Sequence, residues 1–205
     1  MSQFVGVLLA GGKARRMGGG DKCLRTLGGE TLLARAIARA KPQVGPLVLN
    51  ANGDPTRFAG YGLPVIPDVI EGYAGPLAGV LSGLEWAAAE RPEIAYIATV
   101  PTDAPFFPGD FVSRLADALR REGAELACAE SGGRSHPVFG LWPVRLKDDL
   151  RAALVDEGLR KIDVWTARYR LATVKFAVGV SDPFFNANTP EDLVEAESHL
   201  ARGAV

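Results

Sequence analysis

Hydrophobic positions along the chain fall into two alternating kinds of run. Phe4–Ala10 is continuously apolar, as expected of a strand covered on both faces. Thr31–Ala40 then carries leucine and isoleucine at helical spacing. Pro46–Asn50 and Leu63–Ile66 read as short strands, and Pro76–Ala89 as a helix. Ile94–Val100 is an apolar strand apart from Thr99, followed by an amphipathic helix over Gly109–Arg121 that stops at Gly123. Ala124–Ala129 and Pro137–Trp142 predict strands, Val144–Val155 and Leu159–Arg168 helices, and Thr173–Val178 a strand.

The last predicted helix, Thr189–Ala201, opens on TPED. Thr189 is the N-cap, Pro190 takes the first helical position, and Asp192 stands where a capping carboxylate sits. No repeat, low-complexity tract or long linker interrupts the alternation. It predicts a three-layer α/β fold with a mostly parallel sheet, in which ligands bind beyond the carboxyl ends of the strands. The residues just after each strand are therefore the ones to examine.

Composition narrows the function classes. A chain of 205 residues suits one domain. With a net charge of −1 there is no global basic field for nucleic acid or an anionic membrane. No apolar run approaches the roughly 18 residues that cross a bilayer, and the first residues lack the basic region of a secretory signal. Cys23 and Cys128 lie far apart and outside any C-x-x-C arrangement, so reduced thiols and a cytoplasmic protein are expected.

Charge is concentrated in one place. The first strand runs into Gly11 and Gly12, and between Gly11 and Arg25 five cations (Lys13, Arg15, Arg16, Lys22, Arg25) face one carboxylate, Asp21. Glycine lets backbone N–H groups approach and converge on an anion, so polyphosphate is the natural partner. A solvated turn with ordinary surface charges is the competing reading; the position after a buried first strand favours phosphate. The loop is neither G-x-x-x-x-G-K-[ST] nor G-x-G-x-x-G, so a P-loop and a dinucleotide site are both unsupported.

The other strand ends carry their own candidates. Asn50 and Asn52 suit a base edge or ribose, or a turn. Asp68 can accept paired N–H donors, or form an Asx-turn after Pro67. Gly75, Pro76 and Gly79 mark a helix start with free N–H groups. Asp103, in YIATVPTDAPF, is the strongest acidic candidate. Magnesium takes one or two carboxylates plus substrate phosphates, and a capping role is the alternative. Asn186 and Asn188 follow the late strand region. His136, with Arg134 beside it, is a candidate contact for a second substrate, although a lone histidine is more often structural. Trp86, Trp142 and Trp165 read as packing residues.

The stretch LLAGGKARRMGGGDK, Leu8–Lys22, resembles the signature loop of nucleotidyltransferases that attach a nucleotide to molybdopterin. It is most similar to the molybdenum cofactor guanylyltransferases, whose loop reads LAGGxxxRMGGxDK. Cytidylyl relatives tend to LAAGxSxRMG, from which Gly11 and Ala14 depart. The resemblance continues in order through LVLNAN, VIPD, GPLAG, PTDAPF, RSHPVFGLW and NANTPEDL, across nearly the whole chain.

This resemblance implies a Rossmann-like nucleotidyltransferase fold with a mixed, mostly parallel sheet, as one domain over residues 1–205. The N-terminal part would bind GTP and the C-terminal part molybdopterin. GMP would pass from GTP to the terminal phosphate of molybdenum-molybdopterin, releasing pyrophosphate. Lys22, Arg16 and Asp103 would be catalytic, with Asp103 the Mg²⁺ ligand. Leu9, Ala10, Gly11, Gly12, Lys22, Asn50, Asp68, Gly75 and Asp103 would hold GTP. Asn186 and Asn188, with His136 and Arg134, would meet molybdopterin. Molybdoenzyme assembly proteins are further partners, and neither nucleic acid nor membrane is one. A phosphate nucleophile is largely ionised at neutral pH, which accounts for the lack of a histidine, serine or cysteine constellation. The alternatives left open are a cytidylyltransferase acting on molybdopterin, a sugar-1-phosphate nucleotidyltransferase, and a non-catalytic nucleotide-binding adaptor in cofactor assembly.

Overall fold

The first apolar run becomes strand β1, Phe4–Leu9, buried along all but its first residue, as a strand with helices over both faces must be. A computed structural model of the chain describes residues 4–11, 20–70, 72 and 75–203. After a single 3-10 turn at Lys22–Leu24 come two-residue strands, β2 (Thr26–Leu27) and β3 (Glu30–Thr31). Helix α1, Leu32–Ala40, starts where the Thr31 hydroxyl accepts from the Ala34 amide at 3.1 Å. Strand β4 (Leu47–Asn50), a 3-10 segment (Pro55–Tyr61) and β5 (Val65–Ile66) lead to helix α2, Pro76–Glu90. Then follow β6 (Tyr96–Pro101), α3 (Phe111–Glu122), β7 (Leu126–Ser131), β8 (Arg134–Pro143), α4 (Lys147–Val155), α5 (Ile162–Thr166), β9 (Leu171–Phe176) and α6 (Pro190–Ala201).

Seven strands form one sheet in the order β5-β4-β1-β6-β8-β7-β9. Every neighbouring pair is parallel except those of β8, which runs against both β6 and β7. Its reversal is a hairpin: Gly132 and Gly133, at φ 54° and 77°, join Ser131 to Arg134. Two residues at positive φ match the right-handed twist of the flanking strands, and glycine takes that conformation without strain. The carboxyl ends of β1, β4, β5, β6, β7 and β9 therefore share one end of the sheet with the amino end of β8.

Helices cover both faces, giving the expected three layers and mixed, mostly parallel sheet. α1 and α3 close one side over Leu33, Ala36, Phe111, Leu115 and Phe139. α2, α4 and α5 close the other over Leu77, Leu81, Leu150, Trp142 and Trp165. Thr99, the lone polar residue of β6, donates to the Val138 carbonyl at 2.6 Å and accepts from Trp142 Nε1 at 2.7 Å. Trp142 and Trp165 are packing residues, stacked with ring centres 5.8 Å apart.

Several expected boundaries shift: β7 and β8 are Leu126–Ser131 and Arg134–Pro143 rather than Ala124–Ala129 and Pro137–Trp142, and α4 begins at Lys147 after a 3-10 turn over Val144–Leu146. The helix expected over Leu159–Arg168 is confined to Ile162–Thr166. Arg168 and Tyr169 bond back only three residues, to Trp165 and Thr166, so the helix unwinds into tighter turns. The strand expected over Thr173–Val178 is Leu171–Phe176, drawn forward because Glu125 and Leu126 donate to the Arg170 carbonyl and set the register with β7. Helix α6 has the full capping box at Thr189 and Asp192. Among the described residues no helix is long and apolar enough to cross a membrane.

Candidate active site

The shared strand ends open into a cleft of about 1140 Å³. β1 contributes Leu9, Ala10 and Gly11 to its wall, β4 Asn50, and the turn after β5 Asp68. Gly75 begins α2 there, and Asp103 stands two residues beyond β6. Because β8 is reversed, Arg134 and His136 line the same cleft, together with Lys22 and Asn186. Gly12 and Arg16, with Lys13 and Arg15, lie outside the described residues.

Lys22 and Asp103 form an ion pair with only 13% and 17% of their side chains exposed. The ammonium also donates to Asn188 Oδ1 at 2.8 Å; Asn188 itself is set behind Lys22 rather than in the cleft wall. Three distant stretches meet here for backbone reasons. Thr102 donates from both its amide and hydroxyl to the Leu9 carbonyl, at 3.1 and 3.2 Å, joining the ends of β1 and β6. The Ala187 amide donates to the Asp103 carbonyl at 2.9 Å, bringing in the segment before α6. Arg57 holds Asp21, the neighbour of Lys22, at 2.8 Å.

Two buried oxygens at this point, Asp103 Oδ1 and Asn186 Oδ1, have no hydrogen-bond partner among the described atoms. Leaving a buried acceptor bare costs about 1–3 kcal/mol. Both are hard oxygen donors, the kind Mg²⁺ selects. Among the described residues no three His, Cys, Asp or Glu side chains cluster as a metal cage, so a cation here would draw its other ligands from substrate phosphates and water.

The nucleoside candidates form a mesh. Asn50 Nδ2 donates to Asp68 Oδ1 at 3.0 Å and Asn52 Nδ2 to Asp68 Oδ2 at 2.7 Å. Asn52 Oδ1 accepts the Asp68 amide at 2.8 Å. Asp68 is thus no simple Asx-turn, and each of its oxygens already serves one amide. Gly79 makes this possible: a Cβ there would stand 2.3 Å from Asn50 Oδ1 and 2.8 Å from Leu9 Cδ2. Among the described residues no side chain caps the start of α2, and Gly75, Pro76 and Gly79 line the cleft, so the partial positive charge of that helix end lies at its wall.

On the opposite wall the His136 ring lies 4.9 Å from Phe184, centre to centre. Its Nε2 is 2.8 Å from Ser131 Oγ, which is 2.7 and 2.9 Å from the two oxygens of Asp182. Burial pushes the imidazole below its ordinary pKa of 6.5, Asp182 pulling the other way and Arg134 adding to the fall. Sequence reading missed Ser131 and Asp182, which stand 51 residues apart with no periodicity to join them. The available signal for Ser131 was the hairpin Gly-Gly, which sets it on the strand beside His136; Asp182 arrives from the segment after β9 and carried no such signal. Cys23 also lines the cleft, but burial, then Asp21, push its thiol up to about 12, so it is no nucleophile.

Residues 6–169 match the model of the MobA-like NTP transferase domain. A molybdenum cofactor guanylyltransferase of Bradyrhizobium sp. (strain ORS 278) is 60% identical over 94% of this chain and 91% of its own. One from Rhodopseudomonas palustris (strain BisB5) is 58% identical over 93% and 91%. Among solved structures, molybdopterin-guanine dinucleotide biosynthesis protein A of Archaeoglobus fulgidus superposes with a TM-score of 0.76 at 20% identity, over 97% of this chain and 100% of that one. The 4-diphosphocytidyl-2C-methyl-D-erythritol synthase of Anaerococcus prevotii gives 0.74 at 13% identity over 97% and 96%. These two likenesses concern the Rossmann-like fold alone.

Proposed function

The chain belongs to the MobA-like NTP transferase family and is a nucleotidyltransferase of molybdenum cofactor biosynthesis; on that premise we propose that it transfers GMP from GTP to the terminal phosphate of molybdenum-molybdopterin. A phosphate oxygen of the acceptor attacks the α-phosphorus of GTP. The bond from that phosphorus to the bridging oxygen breaks, and its electron pair leaves with pyrophosphate. The nucleophile needs no general base, because the second ionisation of a phosphate monoester lies near pH 6. Positioning and charge neutralisation carry most of such chemistry.

The observation that carries this reading is the half-buried Lys22–Asp103 pair, with Asp103 Oδ1 and Asn186 Oδ1 left without a partner among the described atoms. Lys22, fixed by Asp103 and Asn188, neutralises phosphate charge where the triphosphate crosses the ends of β1 and β6. Asp103 and Asn186 would hold Mg²⁺, which when bound withdraws charge from phosphate oxygens. Leu9, Ala10 and Gly11 offer backbone groups, and the start of α2 at the cleft wall favours negative charge. The mesh of Asn50, Asp68 and Asn52 holds the nucleoside, and Arg134, His136 and Asn186 take the pterin side, with Asn188 acting through Lys22. Two buried free thiols accord with a cytoplasmic enzyme.

Pyrophosphate release from GTP, CTP, ATP and UTP, each with Mg²⁺ and molybdenum-molybdopterin, tests the proposal. Release selective for GTP is expected; equal release from CTP, or none without a second protein, would overturn it. Lys22→Ala should slow release by about a hundredfold or more with the circular dichroism unchanged. Near-normal turnover would remove Lys22 from the chemistry.

A further inference from the structure

The cleft wall built by β8 contains a hydrogen-bond chain that fixes more than the position of a ring. Ser131, at the end of β7, is 2% exposed. Parallel pairing sets it opposite Phe176, the last residue of β9, and the chain leaving β9 returns Asp182 to it. Asp182 is itself anchored, its Oδ1 accepting the Phe184 amide at 2.8 Å. A serine hydroxyl has one proton to give. A carboxylate can only accept, and both Asp182 oxygens approach the hydroxyl. The serine proton is therefore directed to Asp182, and the bond to His136 must run the other way, with Nε2–H donating to Oγ. In a neutral imidazole, the bond made by one nitrogen decides the state of the other, so Nδ1 is left with a lone pair. The ring is held in place by Phe184 and, edge-on at 6.4 Å, by Phe139. The register breaks between Cys128 and Ala129, which pair with Gly140 and His136, so His136 sits next to a β-bulge of β8.

We propose that Asp182 and Ser131 are positioning residues that hold His136 as its Nε2–H tautomer, so that Nδ1 accepts a hydrogen bond from an N–H donor of the heterocyclic acceptor substrate. This rests on the guanylyl-transfer reading for the identity of that acceptor, not for the state of the ring. An acceptor nitrogen in a wall otherwise supplied with the Arg134 and Lys22 cations is a selective element. It favours an amide-like or amino N–H on the ligand and disfavours a ring nitrogen bearing a lone pair. The lowered pKa of His136 agrees with a neutral ring near pH 7.

The test is ¹⁵N correlation spectroscopy of the two histidines in the intact protein, assigned with His136→Gln. The expected wild-type spectrum has His136 protonated at Nε2 alone, with an Nδ1 resonance that moves on adding molybdopterin and not on adding GTP. Ser131→Ala removes the acceptor of Nε2–H. It should raise the KM for molybdopterin about five- to tenfold, the worth of one hydrogen bond, while the KM for GTP holds and kcat stays within about twofold. A ring protonated at Nδ1, an Nδ1 resonance indifferent to molybdopterin, or a Ser131→Ala enzyme with unchanged KM values would each overturn the inference. Should the wild-type protein release no pyrophosphate from GTP, the transfer reading fails, while the spectra still decide the state of His136.

Discussion

Single side chains in this cleft are set by their neighbours' bulk and burial as much as by their own chemistry. Gly79 is the sharpest case. In a helix, alanine is favoured over glycine by about 1 kcal/mol, so Gly79→Ala should not prevent folding. A Cβ 2.3 Å from Asn50 Oδ1 must however displace that amide, and with it the Asp68 mesh. The KM for GTP is expected to rise about tenfold or more, at the cost of one or two hydrogen bonds; an unaltered value would separate Asn50 from nucleotide binding. His136 makes a prediction of a different kind. Its pKa is lowered from 6.5 in the fold, mainly by burial. As pH falls below 6.5 the unfolded chain takes up this proton first, so the contribution to stability is full above 6.5 and lost as pH drops through the lower folded value. Melting temperature should therefore fall between pH 7 and pH 5, with a shallower slope in His136→Gln. Equal slopes would show that the ring is as accessible to protons folded as unfolded.

Elements were legible where a periodic run met its own punctuation. α2 begins at Pro76, α3 stops before Gly123, and α6 follows Thr189, because each boundary is encoded within four residues. What the chain does not encode locally was harder to read. The strands β2 and β3 are two residues each, too short for any alternation. α5 and β9 moved because their limits are decided by bonds to β7 and to turns rather than by composition. The strand ends named Asn50, Asp68 and Asp103, but not that Asn50 and Asp68 bind each other, nor that Ser131 and Asp182 stand behind His136. Those partnerships arise from strand order, which periodicity cannot supply. The capping box of α6 links this scale to the site, since Asp192 Oδ2 accepts from the amides of both Asn188 and Thr189, at 2.7 and 2.9 Å. Thr189→Ala should cost about 1 kcal/mol and lower the melting temperature by about 2–4 °C. It should also loosen the segment carrying Asn186 and Asn188, raising the KM for the acceptor. A shift in melting temperature without a change in that KM would assign the cap to stability alone.

At the scale of the molecule, one reversed strand in a mostly parallel sheet makes a two-sided cleft. The parallel ends of β1, β4, β5 and β6 supply one wall and the hairpin start of β8 the other, with Lys22 and Asp103 where they meet. A ligand lodged there contacts elements from the first strand to the turn before the last helix, so its binding energy appears as stability of the whole fold. At a hundred times its Kd, a ligand that binds only the folded chain adds about 2.7 kcal/mol. For a protein of this size that is a rise of roughly 5–10 °C in melting temperature. GTP with magnesium should give such a rise, and CTP, ATP and UTP at the same concentration much less. The division of labour at the centre predicts a second difference. If Asp103 Oδ1 is bare because a cation belongs on it, Asp103→Ala should abolish the extra stabilisation that magnesium adds to GTP. Part of the magnesium-free response should survive, since Lys22, the α2 amides and the Asn50 mesh remain in place. A variant whose GTP response depends on magnesium as strongly as the wild type would move the cation away from Asp103. The paired lysine and carboxylate would then be a structural tie between the two walls.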